Sequence, residues 1–158
     1  MVVELLKEKD IPELHDVIEK TCRISFAPYY PQSVIEDTIN SLNCEKLKER
    51  AGWTHFYVIK EEDKIVGCGA IGAYWGSLTE SSLFTIFVDP DYQGKGYGRV
   101  IMETLEADEY AKRASRIEIP ASLYAIPFYR HMGYEHKNGV LTFEDNHFAL
   151  EKFTGNLD

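Results

Sequence analysis

Hydrophobic and polar positions change period several times along this chain, and the changes mark out its elements. Val2 to Leu6 reads as a short strand. Asp10 is then placed as an N-cap, with Pro12 and Glu13 in the first turn of a helix reaching about Arg23 or Ile24. The run Phe26-Ala27-Pro28-Tyr29-Tyr30-Pro31 breaks it, and Ser33 with Glu36 reads as a capping box for a second helix through Leu42. A third helical stretch follows from Cys44 to Arg50. Thr54 to Lys60 and Lys64 to Tyr74 predict a hairpin around the polar turn Glu61-Glu62-Asp63, with Gly67, Gly69 and Gly72 on its second strand.

The apolar run Leu83, Phe84, Ile86, Phe87 and Val88 predicts a strand over Ser82 to Val88, buried on both faces and stopped by Asp89-Pro90. Val100, Ile101, Thr104, Leu105 and Ala111 recur at helical spacing and predict a helix to about Arg113. A strand Ile117 to Ile119, a helix Ser122 to Met132 and a terminal hairpin around Asn138-Gly139 or Asp145-Asn146 complete the order. The fold class is α/β with a mixed sheet.

Between the Ser82 to Val88 strand and the next helix lies Gln93-Gly94-Lys95-Gly96-Tyr97-Gly98-Arg99. Three glycines in five residues let the backbone approach a ligand, and the free amides of a first helical turn face an anion with the helix dipole behind them. A free helix N-terminus favours acidic side chains. This one carries Lys95 and Arg99 and no carboxylate from Gln93 to Met102, the pattern expected where an anion is held. The spacing is neither G-x-G-x-x-G nor a loop followed by G-K-[ST]; it is Q-x-x-G-x-G. A glycine-rich strand-to-helix connection with solvated basic residues would leave the same short pattern, so the flanks decide.

The segment Val88-Asp89-Pro90-Asp91-Tyr92-Gln93-Gly94-Lys95-Gly96-Tyr97-Gly98 resembles the acetyl-CoA pyrophosphate loop of the GNAT superfamily of N-acetyltransferases. About thirty residues on, Ala121 to Tyr134 is similar to that superfamily's second signature, F-Y-x-x-x-G-[FY], here Phe128-Tyr129 and Gly133-Tyr134. The first fifty residues match only in type of element. The resemblance implies a GNAT fold, a mixed and mostly antiparallel sheet flanked by helices, in a single domain over residues 1–158. It implies transfer of the acetyl group of acetyl-CoA to a primary amine, of a small molecule or an exposed protein amino group, by direct attack. A non-catalytic acyl-CoA-binding or sensor module of the same fold is the alternative.

On that resemblance the cofactor-binding residues are Phe87, Val88, Gln93, Gly94, Lys95, Gly96, Tyr97, Gly98, Arg99 and Ser122. Ser122 stands where many members have Asn, and is expected to cap the helix and reach the cofactor less directly. Tyr129 is the expected acid for the leaving thiolate, although Ala125, Phe128, Tyr129 and Met132 also form a core stripe at helical spacing. Phe26, Tyr29, Tyr30 and Glu80 are candidates for the acceptor side, the aromatics being equally readable as core. The base is open: Ser82 and Phe84 occupy the positions where members place Glu or His, leaving Glu80 or Glu118 to act through water.

Composition narrows the partners. A chain of 158 residues with 44% hydrophobic content can bury one good core. Its net charge of −9 argues against nucleic acid or an anionic membrane and is compatible with a cationic acceptor. Cys22, Cys44 and Cys68 are odd in number and scattered, so neither a disulfide framework nor a metal site is expected. No signal-like segment or bilayer-length apolar run is present, and a cytoplasmic protein is expected. The alternating strand His147 to Phe153 offers an edge for pairing into a homodimer.

Overall fold

The computed structural model describes residues 1–141, 143–144 and 147–156. Its elements are β1 (Val2–Leu5), α1 (Ile11–Ser25), α2 (Gln32–Ser41), α3 (Cys44–Ala51), β2 (His55–Glu61), β3 (Lys64–Ala73), β4 (Glu80–Val88), α4 (Tyr97–Glu106), α5 (Glu109–Lys112), β5 (Arg116–Ala121), α6 (Ile126–His131), β6 (Glu135–His136), β7 (Phe143–Glu144) and β8 (His147–Phe153). The strands form one sheet in the order β1-β2-β3-β4-β5-β8-β6, with β7 also on β8. Among the described residues only β4 and β5 run parallel, through Glu80, Ser81 and Ser82 opposite Arg116, Ile117 and Glu118.

Side-chain alternation along the strands supplies two separate cores. Phe56, Val58, Ile65, Cys68 and Ala70 face α1, α2 and α3, meeting Leu14, Ile18, Ile35, Ile39 and Leu47. Ile59, Val66, Ile71 and Leu83 face the other way, meeting Ile101, Met102 and Leu105 of α4 and the aromatics of α6. Gly67 and Gly69 of β3 let α4 lie close. A Cβ on Gly69 would stand 2.7 Å from Ile101 Cγ2 and 3.0 Å from Leu105 Cδ1.

Two irregularities of β4 shape everything that follows. Pairing with β5 ends at Ser82, beyond which the two strands line opposite walls of a cleft. Pairing with β3 slips between Cys68 and Ala70, leaving a bulge on β4 around Thr85, whose φ of +55° is unusual for a β-branched residue. Phe84, Thr85 and Ile86 are therefore only half-buried, so the expectation of a strand covered on both faces fails where the cleft opens.

Several expected caps are corrected. Asp10 makes no cap; its buried carboxylate accepts from Lys60 Nζ at 3.1 and 3.2 Å, because an ammonium in reach outcompetes a neutral amide. Ser33 caps nothing: α2 begins at Gln32 behind Pro31, and Glu36 is taken by Arg23 and Gln32. The helix expected to run to Arg113 splits, because Asp108 turns inward to accept from Tyr110 N at 2.8 Å, Tyr57 Oη at 2.6 Å and the His55 ring, and so starts α5. The helix expected from Ser122 begins as a 3-10 turn over Leu123–Ala125 and is α-helical only from Ile126, with Pro127 in the first turn where its missing N–H costs nothing. Strand β5 is longer than expected and includes Pro120, which lies past the last β4 partner.

At the C-terminal end Lys137–Gly139 forms a tight turn with Asn138 and Gly139 both left-handed, whereas Asp145-Asn146 lies outside the described residues. The edge expected at His147 to Phe153 is not free. β8 has β5 on one side and β6 and β7 on the other, so that strand offers no ladder for a second subunit. Among the described residues no helix is long and apolar enough to cross a membrane.

Candidate active site

The end of β4 is locked before the glycine loop begins. Asp89 accepts from Asp91 N and from Lys20 Nζ of α1, both at 2.9 Å, and Lys20 also reaches Asp91 at 2.7 Å. Those two carboxylates hold the Lys20 ammonium and raise its pKa. Gln93 Nε2 donates to the Val88 carbonyl at 2.9 Å and to Ser25 Oγ at 3.2 Å, closing the loop onto β4 and the last residue of α1. These bonds preorganise the stretch that leads into the loop.

Within the loop Gly94 and Gly96 have φ of +76° and +92°, and each faces open space where a side chain would stand. Gly98 is helical and carries the edge of the Phe128 ring, which a Cβ would meet at 3.1 Å. The first bond closing α4 runs from Val100 N to the Gly96 carbonyl at 3.2 Å. Among the described residues the amides of Gly94, Lys95, Gly96, Tyr97, Gly98 and Arg99 have no acceptor within the protein. Gly94, Gly96, Tyr97, Gly98 and Arg99 line one concavity at this helix N-terminus, with no acidic residue in the first turn.

The basic and aromatic residues around the loop divide in role. Arg99 Nη2 stands 3.5 Å from His131 Nε2 at the rim, and both line the cleft. Lys95 folds back with its ammonium 5.4 Å over the Tyr92 ring and is not in the lining. Tyr97 lines the cleft while its hydroxyl donates to Glu61 at 2.9 Å, and that carboxylate raises the phenol pKa.

The concavity continues into a cleft of about 1980 Å³ that runs from the glycine loop between the parted ends of β4 and β5 to the far side of the sheet. Phe87 and Val88 form one wall, with Ile119, Pro120 and Ser122 opposite. Ser122 makes no side-chain cap, contrary to expectation; the free amide of Leu123 donates instead to Tyr30 Oη at 2.6 Å. Tyr129 is 5% exposed and lines the cleft, and burial pushes its phenol pKa well above the ordinary value. Among the described residues its hydroxyl has no hydrogen-bond partner.

The expected acceptor residues separate. Phe26 is buried in the core, its ring centroid 5.5 Å from Tyr30 and 6.3 Å from Phe87, yet it and Tyr30 both reach the cleft wall. Tyr29 is half-exposed against Tyr124 and does not line the cleft. Glu80 is also away from the lining, held by Arg116 Nε at 2.8 Å. Glu118 does line it, but its carboxylate accepts from Arg116 and from Lys137 Nζ, each at 2.9 Å. Both carboxylates are thus engaged in ion pairs. Ser82 is buried and donates to the Glu118 carbonyl at 3.1 Å.

A family model for the acetyltransferase (GNAT) domain matches residues 52–136, from the start of the β2–β3 hairpin through the glycine loop to β6. The chain belongs to the GNAT acetyltransferase family. The likeness read from the two signatures is thereby borne out. An uncharacterized N-acetyltransferase of Methanocaldococcus jannaschii is 35% identical over 94 residues, 54% of this chain and 41% of that protein. The [ribosomal protein bS18]-alanine N-acetyltransferase of Escherichia coli K12 is 44% identical over 61 residues, 36% of this chain and 40% of that enzyme. The matched part thus spans less than half the length of either curated relative.

The GNAT fold extends over the whole chain. PaiA N-acetyltransferase from Thermoplasma acidophilum, solved in complex with coenzyme A, superposes with a TM-score of 0.81 at 17% identity, covering 98% of this chain and 100% of that one. An aminoglycoside 6'-N-acetyltransferase complexed with coenzyme A gives 0.71 at 16% identity, covering 100% of both chains. Residues 1–51, outside the family model, thus take the same architecture.

Three cleft residues carried no signal in the sequence. Arg50 looks there like the last residue of a surface helix, and Thr85 like one more β-former in a strand. Trp53 looks like a turn aromatic. Only the folded chain brings them together at the bulge.

Proposed function

We propose that this protein binds acetyl-CoA through the glycine loop and transfers the acetyl group to a primary amine by direct attack. The observation that carries the reading is the row of unpartnered amides from Gly94 to Arg99, held between the Gln93 tie and the first bond of α4 and opening into a cleft of about 1980 Å³. It is further supported by family membership and by two whole-chain structural relatives that were solved with coenzyme A. In this reading the diphosphate lies on those amides with Arg99 at its side, and the arm passes the backbone of Phe87 and Val88 in the β4–β5 gap. The acceptor enters from the far side of the sheet.

The chemistry requires a polarised thioester, an acid for the leaving thiolate and a path for the amine proton. Backbone amides beside the β4 bulge supply the first. Tyr129 supplies the second, its phenol kept protonated by burial. With Glu80 and Glu118 both ion-paired, the amine is taken to enter neutral and to lose its proton to solvent along the cleft. The same lack of a base favours one other reading, a binding module that senses acyl-CoA without turnover.

Calorimetry with acetyl-CoA and a thiol-release assay over a panel of amines separate the two. Transferase activity predicts saturable binding and amine-dependent release. Gly96→Val, which sets a branched side chain at φ of +92°, is expected to weaken acetyl-CoA binding at least tenfold. Full affinity in that variant would remove the loop from the site, and binding without release under any amine would favour the sensor.

A further inference from the structure

Among the described residues Arg50 is the one guanidinium lining the acceptor side of the cleft, and it has no ion pair. Its main chain is pinned at the end of α3: its carbonyl accepts from Thr54 N at 3.1 Å and Thr54 Oγ1 at 2.8 Å. From there the side chain crosses to the β4 bulge. Nη1 donates to Thr85 Oγ1 at 2.6 Å, and the guanidinium carbon lies 5.0 Å above the Phe84 ring, which also takes the edge of Trp53 at 5.1 Å. Arg50, Trp53, Phe84 and Thr85 all line the cleft.

Among the described residues several other buried or clustered cations are neutralised. Arg116 has Glu80, Glu118 and Glu151; Lys60 has Glu4 and Asp10; Arg23 has Glu19 and Glu36. Arg113, half-buried like Arg50 but outside the cleft lining, has no ion pair among them, donates to the Ser77 carbonyl at 2.7 Å and lies over the Tyr110 ring. Arg50, half-buried, has no ion pair among the described residues, in a chain of 26 acidic against 17 basic side chains. Desolvation accordingly lowers its pKa, with only its neighbour Glu49 acting weakly against this. An uncompensated charge held in an aromatic setting is costly, and it is held here by a backbone of its own cost, the left-handed Thr85. Thr85 is further secured by Cys68 Sγ, which donates to its carbonyl at 3.1 Å. One N–H of the planar fork is used on Thr85, and the others are available to a ligand.

We infer that Arg50 is the recognition point for a carboxylate on the acceptor, so that the substrate is an amine carrying its own carboxylate within a few bonds. This rests on the transferase reading above, which puts the thioester beside the same bulge. A carboxylate forked onto Arg50 then sets a nearby amino group towards the carbonyl carbon. The carboxylate has two possible sources, a free amino acid or an acidic side chain next to a peptide N-terminus.

The test compares matched acceptors that differ only in that charge: free amino acids against their carboxamides, and peptides with Asp against Asn at the second position. Thiol release is expected to favour the carboxylate over the amide in one of the two sets by roughly tenfold to a hundredfold, mainly through acceptor KM. Arg50→Gln should bring that ratio close to one, and Arg50→Lys should restore part of it. A parallel loss on both members of each pair would mean a purely structural role and overturn the proposal. So would the absence of any preference in wild type. Calorimetry of the same compounds in the presence of free coenzyme A gives an answer independent of turnover. Carboxylate-selective binding lost in Arg50→Gln sustains the site even if no acetyl transfer is found, and its absence refutes the site even if transfer occurs.

Discussion

At the scale of single residues, Tyr129 is where the core stripe of α6 meets the cleft. A tyrosine on a core stripe is ordinarily inert, yet this one borders the cleft, and burial raises its pKa so that the proton is held well into alkaline pH. Tyr129→Phe should therefore lower kcat by roughly 10²–10⁴-fold with little change in acetyl-CoA affinity or melting temperature. A variant with full kcat would return Tyr129 to the core. Of the other expected site residues, the glycines are legible in sequence because no other residue does their work. The ambiguity of Phe26, Tyr29 and Tyr30 is of another kind: an aromatic side chain looks the same in a core and in a pocket wall, and here Phe26 belongs to both.

At the scale of elements, the close packing of α4 on β3 sets the position of the loop. Gly69 is the point of nearest approach, with Ile101 Cγ2 and Leu105 Cδ1 against the place where a side chain would grow. Gly69→Val is expected to destabilise the fold by about 1–3 kcal/mol through overpacking, read as a shift in the urea midpoint with unchanged slope. Because α4 would be displaced as a unit, acetyl-CoA affinity should fall as well; an unshifted midpoint would show that α4 can move at no cost. Element type was well predicted by periodicity, and element ends were not. Asp10, Ser33 and Asp108 all have side chains suited to capping, and whether they cap was settled by partners far along the chain, such as Lys60 for Asp10 and Tyr57 for Asp108.

At the scale of the molecule, two buried phenols link stability to pH. Tyr129 and Tyr134 both have pKa values raised by burial, and Tyr134 also faces Glu106, its hydrogen-bond partner at 3.1 Å. Below the ordinary phenol value of 10.0 folded and unfolded chains hold these protons alike. Above it the unfolded chain gives them up while the native one keeps them, so this stability is lost as pH rises through the folded values, at up to about 1.4 kcal/mol per phenol per pH unit. Melting temperature should therefore be level on the approach to pH 10 and fall steeply beyond it, and Tyr134→Phe should make the fall shallower. An equally steep fall in a double variant lacking both phenols would refute the linkage.

The residue pattern by itself determined the order of elements and the place of the glycine loop with its free amides, because these depend on local backbone geometry and on periods a few residues long. Tertiary structure decided the rest. The parting of β4 from β5, the Thr85 bulge, the pairing of Glu80 and Glu118 with distant cations and the exposure of Arg50 to the cleft all arise from contacts between segments tens of residues apart. A one-dimensional pattern records which face a side chain takes. It does not record which partner waits on that face, and the cleft is built from those partners.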